Sequence, residues 1–204
     1  MFVVIADQIG SRTDRDRVAG LLERLHERTG DRLALPAERT AGDELQALTA
    51  DAATALDVVL ECLRDGHFRA GLGIGAVAGA LPASIREASG PAFIAGRRAV
   101  QQAARTSIRF SAAGADGAED AAADVDALVA LLLSARARWS PQSWELHELL
   151  EQGLTQAASA EQLGISPQAV SKRARAAALA IDAAARVAIG RVMHSADTEQ
   201  SPVG

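Results

Sequence analysis

Two aspartates stand where carboxylates can do chemistry. Asp7 closes an apolar run in Val4-Ile5-Ala6-Asp7-Gln8-Ile9-Gly10-Ser11-Arg12, and Asp43 follows a glycine in Ala41-Gly42-Asp43-Glu44. If the first strand lies beside the hairpin that carries Asp43, both reach one end of a sheet. Carboxylates placed so can hold Mg2+, a hard cation that takes oxygen ligands and usually keeps a phosphate as partner. The loop from Gly10 through Ser11 and Arg12 would offer backbone N–H groups near a helix start, which suits phosphate. Arg98, two turns into the helix opened by Gly90-Pro91, would face the same phosphates, and Glu44 beside Asp43 belongs to the same expected ligand site.

A second set of residues is suited to nucleic acid. In residues 154–174, Ala160 is small enough to let a second helix cross, and Gly164 can turn the chain at positive φ. Leu163, Ile165 and Val170 would share a core. Ser166 and Pro167 are a good N-cap and first residue for the second helix. That helix would present Gln168, Ser171, Lys172, Arg173 and Arg175, types that reach base edges and phosphates from a major groove. It holds three basic and no acidic residues between Pro167 and Leu179, whereas the chain as a whole carries a formal charge of −5. Any DNA contact must therefore come from this local patch. The competing reading is a helical hairpin used only for packing.

The elements that must position these residues follow from apolar patterning. Strands are expected over 2–6, 32–40, 44–49, 68–77 and 107–111, the second and third forming a tight hairpin at Ala41-Gly42-Asp43. Helices are expected over 14–29, with Val18, Leu21, Leu22 and Leu25 inward, over 51–65, with Leu56, Val59, Leu60 and Leu63 inward, and over 90–105. Residues 112–126 hold five acidic and no basic residues among alanine and glycine and read as a solvated linker. Beyond them periodicity is helical to about residue 192, with a polar tail from His194. The expectation is thus an α/β domain over 1–111, a linker over 112–126, and an all-α module over 127–204.

The amino-terminal motifs, Asp-x-Ile-Gly-Ser-Arg, Gly-Asp-Glu-x-Gln, Gly-x-Gly and Gly-Pro-Ala-Phe, resemble those of the SatD-like bacterial family, which pairs such a domain with a carboxyl-terminal helix-turn-helix. Their order and spacing are also similar to those of the class III nucleotidyl cyclases. That resemblance implies a cyclase-like, ferredoxin-like sheet with helices. It implies Asp7 and Asp43 as metal ligands, with Ile9 and Gly10 at the metal and triphosphate loop, and Arg98 as the transition-state arginine. Ile94 occupies the position of the cyclase asparagine and can neither donate nor accept, so binding is expected over turnover. The expected function is a DNA-binding transcriptional regulator whose cyclase-like domain senses Mg2+ and a nucleotide or other phosphate ligand, acting as a homodimer. The alternative is an active metal-dependent nucleotidyl-transfer enzyme; a third reading is a structural partner with a dead site.

Other classes are poorly supported. Gly71, Gly73 and Gly75 do not make a Gly-x-Gly-x-x-Gly register and read instead as room for a closely approaching helix or partner chain. His26, His67, His147 and His194 lack metal spacing, and no Gly-x-Ser-x-Gly elbow occurs. Cys62 is the one cysteine, on the apolar side of its helix, and Trp139 and Trp144 are expected to pack rather than stack on a ligand. No apolar stretch approaches a membrane span and no signal segment is evident, so a cytoplasmic protein without a membrane partner is expected.

Overall fold

A computed structural model describes residues 1–115 and 117–198. Within them lie a five-stranded sheet and eight helices, a mixed α/β architecture. The chain divides into two compact units, one of Met1–Ala130 with the end of the last helix from Ala188, the other Leu131–Val187.

In the first unit, β1 (Phe2–Gln8), β2 (Leu35–Ala41), β3 (Glu44–Thr49), β4 (Phe68–Ile74) and β5 (Phe110–Gly114) pair in the order β2-β3-β1-β4-β5. β1 is central, as its first five residues, apolar and buried on both faces, require, and it pairs antiparallel with both β3 and β4. With α1 (Val18–Thr29) and α2 (Ala52–Leu63) as crossovers, the first four strands form two βαβ units, each split by a strand of the other. β5 adds in parallel to β4 after α3 (Pro91–Ala103).

α3 covers the face carrying Val3 and Ile5, and it does so at backbone range. A Cβ on Gly71 would stand 2.1 Å from the Val100 nitrogen, and one on Gly73 2.2 Å from the Ala92 carbonyl oxygen. The alternating glycines therefore serve close helix approach, and α3 answers with Ala92, Ala95, Gly96 and Ala99 on its buried side. Cys62 is buried in α2, where burial pushes its thiol pKa far up.

Several expected boundaries move, each for a local reason. β1 runs on to Gln8, whose buried side chain bridges the Arg15 carbonyl (2.7 Å) and the Arg17 N–H (2.8 Å). Residues 10–17, expected in part as helix, stay in a loop. There the Asp14 carboxylate takes the Arg17 guanidinium (2.6 Å) and the Arg15 N–H (2.8 Å), and α1 starts only at Val18. The last strand begins at Phe110 rather than 107 because Arg109 turns at φ 61°. Residues 112–126 are not a linker: they hold the end of β5 and the start of α4 (Glu119–Arg136), with Ala118, Ala122 and Val125 buried. The Asp126 carboxylate accepts from the Ala112 N–H (2.6 Å). Asp116, within that segment, lies outside the described residues.

The second unit contains the end of α4, then α5 (Pro141–Glu151), α6 (Gln156–Leu163), α7 (Pro167–Ala176) and the start of α8 (Leu179–Thr198). Leu146, Ala160, Val170, Ala174, Ala177 and Leu179 form its core. The tail expected from His194 is helical through Thr198; residues 199–204 lie outside the described residues.

Candidate functional site

The sheet register brings the amino-terminal charges together. Asp7 stands opposite Glu44 across β1–β3 and opposite Arg69 across β1–β4, a row of three charges on the face that α3 covers. The Gln8 N–H donates to the Asp43 carbonyl (3.1 Å), which ties the hairpin turn to the end of β1. Asp7 and Asp43 therefore lie at the same end of the sheet, with Gly42 at φ 53° making the two-residue turn.

The electrostatics of that end are unbalanced. Burial raises the Asp7 carboxyl above its ordinary value, and repulsion from Glu44 and then Asp43 adds to this; only Arg69, at 3.3 Å, opposes. Glu44 is itself buried, accepting from the Thr40 hydroxyl (2.7 Å), the Gln46 amide (2.9 Å) and the Arg97 guanidinium. Three acidic residues, Asp7, Asp43 and Glu44, thus share this end of the sheet with two arginines, Arg69 on Asp7 and Arg97 on Glu44. Among the described residues no group of three His, Cys, Asp or Glu side chains is arranged to hold a metal ion.

The remaining expected residues fall less evenly. The Ile9 N–H donates to the His67 carbonyl (2.8 Å). Gly10 turns at φ 68° and its carbonyl accepts from Thr13 (2.9 Å) and Asp14 (3.0 Å), with Ser11 half-buried and Arg12 exposed. The loop thus closes on itself. The Val18 N–H, at the start of α1, donates to the Asp16 carboxylate (2.9 Å). Arg98 donates to the Gly114 carbonyl (2.6 Å), while its neighbour Arg97 pairs with the Glu44 carboxylate. Arg97 and Arg98 both line a cleft of about 770 Å3, together with Arg86, Glu44, Phe93 and Ile94. Ile94 is 71% exposed there and presents an apolar side chain to solvent.

In the second unit the turn between α6 and α7 has the expected geometry. Gly164 adopts the left-handed conformation (φ 64°, ψ 30°) and ends α6. The Ser166 hydroxyl accepts from the Ala169 N–H (3.2 Å) ahead of Pro167 at the first turn of α7. Val170 and Ala174 are buried, which leaves Gln168, Lys172 and Arg175 exposed and Ser171 half-exposed along the other side. Arg173 diverges from the expectation. It turns toward α5, 3.5 Å from the Gln142 carbonyl and 3.6 Å from the Glu145 carboxylate.

The two tryptophans pack as expected, in a cluster whose other members, His147, Arg136 and Asp182, the sequence did not disclose. Trp139 and Trp144 meet edge to face at 4.7 Å, with His147 5.0 Å from Trp139. The Arg136 guanidinium stands 5.1 Å from the Trp139 ring and makes two bonds to the buried Asp182 carboxylate (2.7 and 2.6 Å). Burial and then Arg136 lower the His147 imidazole to about 4, so it is neutral in this core.

The chain matches the model of the SatD family over residues 2–192, and it belongs to that family. Neither a curated protein nor a solved structure matches it. No helix among the described residues is long and apolar enough to cross a membrane.

Proposed function

We propose that this SatD-family chain is a DNA-binding transcriptional regulator. In this reading α6 and α7 form a helix-turn-helix whose second helix enters the major groove. The observation that carries it is the exposed stripe Gln168, Lys172, Arg175 on α7, at helical spacing, on a chain of net charge −5. Gln168 and Ser171, nearest the amino end of α7, would read base edges; Lys172 and Arg175 would hold phosphates. Arg173 contributes less than the sequence suggested, because α5 already holds it. A single such helix reads few base pairs, so the protein acts as a homodimer on paired half-sites.

The first unit then serves as the sensor. Its interleaved βαββαβ order is that of ferredoxin-like folds and supports the likeness to nucleotidyl cyclases. The ligand class is a nucleotide: Phe93 and Ile94 offer an apolar wall for a base, and Arg86, Arg97 and Arg98 offer cations for phosphates. Mg2+, where bound, would neutralise phosphate charge from Asp7 and Asp43. Binding without efficient turnover is favoured because Ile94 cannot stabilise a transition state. The placement of Asp7 and Asp43 at one sheet end is the observation that favours the alternative, a nucleotidyl-transfer enzyme.

The test is a mobility shift of promoter fragments at low salt. The wild type should shift, and Lys172→Ala should weaken binding and lower the salt slope by about one unit, as for loss of one phosphate contact. No shift by the wild type sinks the proposal.

A further inference from the structure

The second unit contains a cavity of about 490 Å3 whose lining comes mainly from α5, α7 and α8, with Gln156 of α6, and includes Ser171 and Arg175 of α7, the latter a member of the exposed stripe. The volume lies within the roughly 300–1,000 Å3 usual for small-molecule sites. Leu150, Ala174, Leu179 and Ile181 make much of the wall apolar. Three side chains on the lining carry formal charge at neutral pH. The Glu151 carboxylate accepts from Arg186 (2.7 Å), and Asp182 is held twice by Arg136, so both are neutralised. Arg175 is not: its Nε donates to the Ser171 carbonyl of its own helix (3.3 Å), and among the described residues its terminal nitrogens meet no acceptor. His147, also on the lining, is neutral and adds no charge.

We infer that this cavity binds a small organic carboxylate with an apolar body, and that the bound carboxylate draws Arg175 away from DNA. A guanidinium fork accepts a carboxylate through two parallel N–H···O bonds, while the alkyl or aryl part removes the Leu150–Ile181 wall from water. A phosphate ester fits less well, since its charge of about −1.5 to −2 would exceed the single charge of Arg175 and face Glu151 and Asp182. The site needs only the geometry above. Its regulatory consequence rests on the proposed DNA reading.

Titration calorimetry of the full chain with octanoate, octylamine and 1-octanol, without DNA, tests the site. Octanoate should bind one per chain and octylamine should not. Arg175→Gln should weaken octanoate about tenfold or more, as loss of a charge-assisted pair implies. Ile181→Ser, at an exposed wall position, should weaken octanoate and octanol alike. No octanoate binding at millimolar concentration, equal binding of octylamine, or unchanged octanoate affinity in Arg175→Gln overturns the site. A mobility shift with added octanoate judges the regulatory half. If octanoate binds but leaves the DNA affinity of a shifting wild type unchanged, that half is overturned. If the wild type shifts no DNA at all, the DNA reading is at fault, and the calorimetry still decides the site.

Discussion

Asp7 holds its proton to higher pH in the folded chain than the ordinary value of 3.8. Such a carboxyl binds more protons folded than unfolded between its two values. Its contribution to stability is therefore fully present below 3.8 and is lost as pH climbs through the raised folded value. Asp7→Asn is accordingly expected to leave the metal-free protein as stable as wild type at pH 7, or more so. It should also abolish any rise in melting temperature with Mg2+ and ATP or GTP. Thermal melts of both proteins with and without these additions check this; a destabilised Asn variant would show Asp7 to be a structural partner of Arg69. At this scale the sequence disclosed the two aspartates because strand ends and hairpin turns have local signatures. It did not disclose that Arg97 pairs with Glu44 while Arg98 turns to the Gly114 carbonyl, since adjacent helix positions point about 100° apart and the phase of α3 is set by its packing on β4.

The elements record which local signals tertiary contact can override. The strands were legible because apolar runs bounded by Gly and Asp have few alternatives. The start of α1 was not, because Asp14 and Asp16 spend their carboxylates on Arg17 and Val18 and keep the chain in a loop. Nor was the structure of 112–126 legible. Its composition imitates a linker, yet Ala118, Ala122 and Val125 recur at helical spacing and are buried. The glycines of β4 were read correctly as room for a close neighbour, and they yield a prediction. Gly73→Ala places a methyl 2.2 Å from the Ala92 carbonyl oxygen, a clash with backbone that cannot rotate away. A loss of about 3 kcal/mol or more by denaturant unfolding is expected. In contrast, Ala178, between α7 and α8, sits at φ 52°. Ala178→Gly removes left-handed strain of ~1–2 kcal/mol and adds back part of that as chain entropy, so a gain of about 0.5–1 kcal/mol is expected in the same measurement.

For the molecule as a whole, acid is a specific stress on the second unit. His147 titrates at about 4 in the fold against an ordinary 6.5. The unfolded chain therefore binds the extra proton first as pH falls. The stability tied to neutral His147 is complete above 6.5 and is lost as pH drops through about 4. His147→Gln should flatten the dependence of the melting temperature on pH between those values, read by fluorescence of Trp139 and Trp144, which flank the ring. The DNA proposal belongs to the same scale: on a chain of net charge −5, α7 presents Lys172 and Arg175 with no acidic residue on its own helix. The most direct measurement is selection of genomic DNA fragments by the full chain, followed by sequencing, for wild type and Gln168→Ala. Enrichment of a two-half-site motif by the wild type, with preference relaxed at one position per half-site in Gln168→Ala, is the predicted result. Recovery of fragments with no enriched motif by the wild type would contradict the reading of α7 as a DNA-recognition helix.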